Sequence, residues 1–168
     1  MTRMAREVAD LPPYVYRGAR ALVLLHEQEL REFITTWLEA RATGSTMTLA
    51  GTSEQVSLDE LLHHVLCWAR DYMVWTCEKL GLPDPEIDPV PAPDALRTRL
   101  PRYLDHLLAR WRLPLAGVAE EPLFSPQHTT RWNIDYPIEA LLEHAVVHAM
   151  RHRLQLQEMI EKRSPPEG

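Results

Sequence analysis

Three histidines recur at four-residue intervals in the stretch HAVVHAMRHRLQL, which spans residues 144–156. On a helix, residues at this interval lie on neighbouring turns, with Cβ atoms about 5–6 Å apart. Two imidazoles so placed can both reach one metal ion at about 2.0–2.1 Å. The spacing therefore makes His144, His148 and His152 candidate metal ligands, and the question is which of them take part.

Hydrophobic periodicity separates the three histidines. The apolar face of the predicted helix carries Ile138, Leu141, Leu142, Ala145, Ala149, Leu156, Met159 and Ile160. At about 100° per residue, His152 lies near the middle of this face, His148 on its flank and His144 near its margin. We therefore expect His148 and His152 to be the ligand pair, and His144 to lie beside the site or in solvent.

Two ligands from one helix make a weak site, so a third is expected from a facing helix. The stretch LLHHVLCW, residues 61–68, offers two adjacent histidines. The helical wheel places His64 on the flank that also holds Leu61 and Trp68, and it turns His63 nearly the opposite way. A single inward histidine is more often a hydrogen-bonded core residue than a ligand, but three are costly to bury without a shared partner. The predicted metal ligands are therefore His64, His148 and His152.

Other side chains are weaker candidates for a place in the site. His26 lies on the apolar stripe of its helix, where a core histidine is the simpler interpretation and a place in the same cavity the alternative. His106 and His128 are expected to be solvated, although a loop histidine such as His128 could close over a pocket. Cys67 lies mainly on the outward side of its helix, and we do not count it as a ligand.

Neither the arginines near the histidines nor the established catalytic motifs identify a further functional site. Arg131, Arg151 and Arg153 could hold a substrate carboxylate, but a solvated surface is the more common role. The zinc-protease motif H-E-x-x-H is incomplete at His26, and a di-iron site would need a second Glu-x-x-His motif besides the one that ends at His63. Neither a nucleophile elbow nor a phosphate-binding loop is present, and no general base can be named.

Four segments with helical periodicity must position these residues: 17–41, 57–80, 94–112 and 135–162. The second begins with Ser57-Leu-Asp-Glu60, a capping-box pattern, and ends at Gly81. The proline-rich stretch 83–93 is expected to be a stiff linker, Pro101 to kink the third helix or delay its start, 113–133 to be irregular, and the C-terminal RSPPEG to fray. We predict an all-α fold, a four-helix bundle with long crossover loops, as a single domain over residues 1–168.

Composition and charge exclude several classes. The chain of 168 residues has a formal charge of −6 and no Lys/Arg stripe, so nucleic acid is not an expected partner. Neither an N-terminal signal segment nor an apolar run long enough to span a membrane is present, so the default location is cytoplasmic. Two cysteines, Cys67 and Cys77, form neither a CxxC motif nor a disulfide framework.

The two histidine-bearing stretches resemble the DinB/YfiT-like superfamily. Its members carry a histidine in an LLxH setting on the second helix and a late H-x-x-x-H followed by R-x-Q. Here His64 matches the first position, His148 and His152 match the pair, and Arg153 and Gln155 match R-x-Q. Many members have Gly where this chain has Leu154, and often a histidine where it has Arg151.

The resemblance implies a four-helix bundle, often a homodimer, that binds one divalent metal such as zinc or nickel through three histidines. Characterised relatives include S-transferases that use small thiols such as bacillithiol or mycothiol. We therefore expect a metal-dependent transferase that joins a low-molecular-weight thiol to an electrophilic substrate, because three ligands leave a fourth position open. A metal-dependent hydrolase and a bundle with a structural or non-catalytic metal are the alternatives.

Overall fold

The computed structural model describes residues 11–44, 46–48 and 53–163. Most of these residues are helical, which confirms the expected all-α class, and the strands form two short antiparallel pairs. The predicted C-terminal fraying lies largely outside the described residues. In chain order the elements are α1 (Arg17–Thr43), β1 (Thr46–Thr48), β2 (Gln55–Ser57), α2 (Leu58–Leu80), α3 (Pro93–Trp111), α4 (Glu121–Phe124), β3 (His128–Thr129), β4 (Asp135–Tyr136) and α5 (Ile138–Arg163).

Helix α2 begins and ends as its sequence predicts. The side chain of Ser57 accepts a hydrogen bond from the backbone N–H of Asp59, and the Glu60 carboxylate accepts one from the backbone N–H of Ser57. At the other end Gly81 adopts a left-handed conformation with φ of 65°, and its N–H bonds back to the last turn. These caps determine where helix α2, which carries His64, begins and ends.

The proline-rich linker is hydrogen-bonded to helix α3. Its Asp88 donates a backbone hydrogen bond to Nε2 of His106 (3.0 Å), and the Asp88 carbonyl accepts one from the Tyr103 hydroxyl (3.1 Å). His106, which was expected to be solvated, is partly exposed and lies with one side of its ring against the linker. Pro101 lies inside α3, whose start at Pro93 is not delayed.

The segment predicted to be irregular, 113–133, contains structure that its periodicity did not indicate. It includes the short helix α4 and the first strand of a hairpin in which His128 pairs with Tyr136 and Thr129 with Asp135. A second hairpin joins α1 to α2, with Met47 opposite Val56. Strands of two or three residues are too short to show a period-two pattern, so the sequence could not reveal them.

The long helices pack through a continuous apolar core. Helix α1 lies along α5, and α2 packs against both α3 and α5. Two buried tryptophans join elements by indole hydrogen bonds, from Trp37 to the Leu58 carbonyl and from Trp111 to the Ala69 carbonyl. No helix within the described ranges is long and apolar enough to cross a membrane.

Candidate metal centre

The structure brings the three predicted ligands together. His64 on α2 and the pair His148 and His152 on α5 each offer a ring nitrogen, and these nitrogens lie within 4.8 Å of one another. Nε2 of His148 is 3.3 Å from Nε2 of His64. Two nitrogens bound tetrahedrally to zinc at about 2.0–2.1 Å would be about 3.3 Å apart. The spacing of this histidine triad, His64, His148 and His152, therefore suits a single metal ion.

His152 is oriented by a neighbour one turn along α5. Its Nδ1–H donates a hydrogen bond to Oε1 of Gln155, at 2.9 Å. The proton is thus on Nδ1, and Nε2 keeps a free lone pair. Nε2 is buried and has no hydrogen-bond partner among the described residues. A buried acceptor without a partner is costly in a folded protein, and a metal ion bound there would satisfy it.

The electrostatics keep all three rings neutral. Burial lowers the pKa of His148 to about 3 and that of His152 to about 4. The pKa of His64 is also lowered, first because neighbouring groups partly desolvate its ring and then by the charge of Arg151. Neutral imidazole is the form that binds a metal, so at neutral pH the triad needs to lose no proton beforehand.

The triad is open on one side. His148 and His152 are each only 7 % exposed, whereas His64 is exposed to solvent. The helical wheel correctly placed His64 toward the other two histidines, but the inward position expected for it was wrong. The α2 residue lies at the mouth of the site, and a small molecule can approach the triad from this side.

His144 lies beside the triad among aromatic rings, in agreement with its marginal position on the wheel. Its ring stacks on Trp132 at 5.6 Å between centroids, and it contacts Tyr72 at 5.8 Å and Tyr136 at 6.3 Å. Tyr72 in turn contacts His148 at 6.0 Å. The wall of rings around the histidine triad therefore includes residues of the β3–β4 hairpin.

The remaining histidines do not join the triad. His26 is a core residue, as the simpler interpretation held, and its ring stacks on Trp111 with 3.7 Å between centroids. His128 was expected to be solvated, and this was wrong, because it is half-buried with its ring edge-on to Trp75. His63 contacts Cys67 on the other side of α2, at 3.7 Å.

The three arginines considered as carboxylate ligands have different surroundings. Arg153 forms ion pairs with Glu29 and Glu32 and so joins α5 to α1. The idea that Arg153 binds substrate is therefore not supported by its contacts. Arg131 pairs with Asp71 but remains largely exposed, and Arg151 lies exposed next to His152.

Two features of the site were not expected from the sequence. The first is the contact between His152 and Gln155, for which an i, i+3 spacing on a predicted helix was the available signal. The second is Trp132, which lies in a segment expected to be irregular. No short-range pattern could have placed its ring against His144, because that contact depends on the path of the hairpin.

Comparisons of this chain with protein-family models, with curated proteins and with solved structures found no match.

Proposed function

We propose that the chain is a DinB/YfiT-like protein whose four long helices form a four-helix bundle and whose histidine triad holds one divalent cation, zinc or nickel. The observation that carries the proposal is the convergence of three neutral histidine nitrogens within 4.8 Å of one another. The buried, unpaired Nε2 of His152 supports it independently. In this proposal the protein is a homodimer, which sedimentation analysis can test.

Within this proposal the residues of the chain have separate tasks. His148 and His152 supply buried ligands from one rigid helix, and Gln155 holds His152 in the tautomer that leaves Nε2 free. His64 supplies the third ligand from α2 and leaves the solvent side of the site accessible. Arg151 adds positive charge next to the site, which favours anionic molecules.

We further propose that the activity is a transfer of a low-molecular-weight thiol to an electrophile. His64, His148 and His152 would hold the cation, which would lower the pKa of a thiol bound to it. The thiol sulfur forms a bond to an electrophilic carbon, the bond to the leaving group breaks with its electron pair, and the thiol proton passes to solvent. The exposed position of His64 favours this open, reactive site over a closed structural one.

The metal site is tested by elemental analysis of the purified protein and its single-histidine variants. We expect one divalent cation per chain in the wild type and loss of it in His64→Ala, His148→Ala and His152→Ala. His63→Ala is the matched control, since it removes the neighbouring imidazole from the same helix and should leave the metal content unchanged. A variant of the triad that keeps its full metal content would remove that residue from the site.

The thiol chemistry is tested by following thiol consumption in the presence of alkyl halides and epoxides. The metal-loaded wild type should consume thiol faster than His64→Ala with at least one member of a panel of bacterial thiols. Consumption at the same rate by both proteins would contradict the transferase proposal. Breakdown of the electrophile without thiol would instead point to a hydrolase, in which water is the nucleophile.

A further inference from the structure

A groove of about 530 Å³ lies between helix α3 and the end of the proline-rich linker. The linker contributes Pro89 and Pro91 to its walls, and α3 contributes Arg99, Arg102 and His106. This volume falls within the range of small-molecule binding sites. No histidine of the triad is among the residues that line the groove, so the linker groove is a separate place on the molecule.

The linker wall of the groove is held in place by contacts to two helices. Ile87 is 3 % exposed, and its carbonyl accepts a hydrogen bond of 3.0 Å from Nε of Arg70 on α2. The next residue, Asp88, is hydrogen-bonded through its backbone N–H and carbonyl to two side chains of α3. The prolines at 89 and 91 then restrict the backbone angle φ of the segment that follows. The groove is therefore preformed, and a ligand does not have to order this wall when it binds.

The α3 wall of the groove carries a row of hydrogen-bond donors. Arg99, Arg102 and His106 are spaced three and four residues apart, so their side chains lie on one face of the helix. Both arginines are exposed, and neither has an ion-pair partner in the described part of the chain. His106 accepts the Asp88 N–H at Nε2, so the proton of its neutral ring is on Nδ1. The three side chains thus offer donors to a ligand.

The fixed charge of the groove is positive. Arg99 and Arg102 carry two positive charges, and the Asp88 carboxylate carries one negative charge. This carboxylate lies at the His106 end, 3.7 Å from Nε2, and the Asp88 side chain is 77 % exposed. On a chain of net charge −6, a concave site with excess arginine favours an anionic ligand. Guanidinium groups bind phosphate oxygens through paired, charge-assisted hydrogen bonds.

We propose that the linker groove binds a small phosphate monoester, with the phosphate at Arg99 and Arg102 and the organic part against the rings of Pro89 and Pro91. A phosphate dianion presents three acceptor oxygens and matches the charge of two guanidinium groups, whereas a carboxylate presents two oxygens and one charge. The groove is larger than a phosphate ion, and the proline rings give the remaining space an apolar wall. This site binds its ligand whether or not a cation occupies the triad.

The binding is tested by titrating the full-length chain with phenyl phosphate, in buffer free of phosphate, while recording ¹H–¹⁵N signals of the backbone amides. Saturable shifts are expected for Val90, Arg99 and Arg102, with buried Leu30 on α1 as the internal reference. Benzoate should bind about tenfold more weakly, because it has fewer charges and acceptor oxygens. Inorganic phosphate should bind about fivefold more weakly, because it has no ring to contact the prolines. Equal binding of inorganic phosphate would overturn the monoester and make the free ion the ligand.

Variants of the exposed side chains locate the ligand. Arg99→Gln and Arg102→Gln should each weaken phenyl phosphate binding about tenfold. Arg97→Gln is the matched control, since it removes the same charge from an exposed residue of α3 that does not line the groove, and it should change the affinity less than about twofold. Asp88→Asn should tighten binding about threefold, because it removes the negative charge but keeps both backbone hydrogen bonds.

The four substitutions change exposed side chains, so each variant is expected to fold. Absence of saturation, equal binding of benzoate, or unchanged affinity in both Arg99→Gln and Arg102→Gln would overturn the inference. Equal weakening in Arg97→Gln would do the same, because it would show attraction to the surface charge of α3 in general.

Discussion

Gln155 holds the imidazole of His152 from one turn further along α5. The hydrogen bond from Nδ1–H to Oε1 is 2.9 Å long and directs Nε2 toward the other two histidines. Groups that hold a metal-binding histidine in one tautomer strengthen the site without touching the metal. Gln155 is therefore a positioning residue in the proposed metal centre.

Replacing Gln155 by Leu should lower the affinity for zinc about 10–100-fold, because the ring of His152 loses its fixed tautomer and orientation. Competition against a chromophoric chelator measures this affinity. Gln155→Glu should restore it, since a carboxylate accepts the same hydrogen bond. Gln157→Leu, on the same helix but directed toward Arg153, is the control and should bind zinc as the wild type does. An unchanged affinity in Gln155→Leu would refute the positioning role.

His26 makes the stability of the fold depend on pH. Burial lowers its pKa from the ordinary value of 6.5 to about 3. The unfolded chain therefore takes up a proton on this ring below pH 6.5, whereas the folded chain does not until about pH 3. The stabilisation that comes from keeping His26 neutral is fully present above the pKa of the unfolded chain. It is lost as the pH falls toward the lower pKa of the folded chain.

Between pH 7.5 and pH 5, this single group should reduce the free energy of unfolding by about 2 kcal/mol. Urea unfolding of the wild type and of His26→Phe at the two pH values measures the effect. The remaining histidines are common to both proteins, so the difference between the two pH dependences belongs to His26. Identical pH dependences in the two proteins would show that His26 does not stay neutral in the fold.

At the scale of elements, the capping box sets where α2 begins. Ser57→Ala removes the acceptor of the Asp59 N–H bond and should lower the free energy of unfolding by about 1 kcal/mol. Ser53→Ala removes the same hydroxyl from an exposed residue outside the helix and should cost less than about 0.5 kcal/mol. Denaturant unfolding compares the two. An equal effect of both substitutions would mean that the cap does not stabilise the helix.

The helices were the predictable elements of this fold. Periodicity located α1, α2, α3 and α5 to within a few residues, because each shows several turns of a 3.6-residue pattern. The hairpins were not predictable, because their short strands are held by pairing between segments and not by a pattern of their own. This difference matters for the site, since the β3–β4 hairpin carries Trp132.

For the whole molecule, we expect that the core folds without the proposed metal centre being occupied. The core consists of apolar side chains from all the long helices, whereas the histidine triad opens to solvent at His64. A cation at a hundred times its dissociation constant should therefore add about 2.7 kcal/mol to the stability of an already folded chain.

Removal of the cation with a chelator should accordingly lower the melting temperature but leave the helical circular dichroism and the cooperative transition intact. Added zinc should raise the melting temperature saturably in the wild type and leave that of His148→Ala unchanged. Loss of helical structure on chelation would contradict this expectation and would identify the metal as a structural one.

The sequence by itself determined the helical elements, the caps of α2, the His148 and His152 pair, and the choice of His64 over His63. All of these follow from local spacing and from which face of a helix is apolar. Only the tertiary structure decided that His64 is exposed, that His128 is half-buried, and that a hairpin brings Trp132 against His144 beside the triad. The physical reason is that periodicity identifies the apolar face of an element, whereas exposure and contact depend on which other elements cover that face.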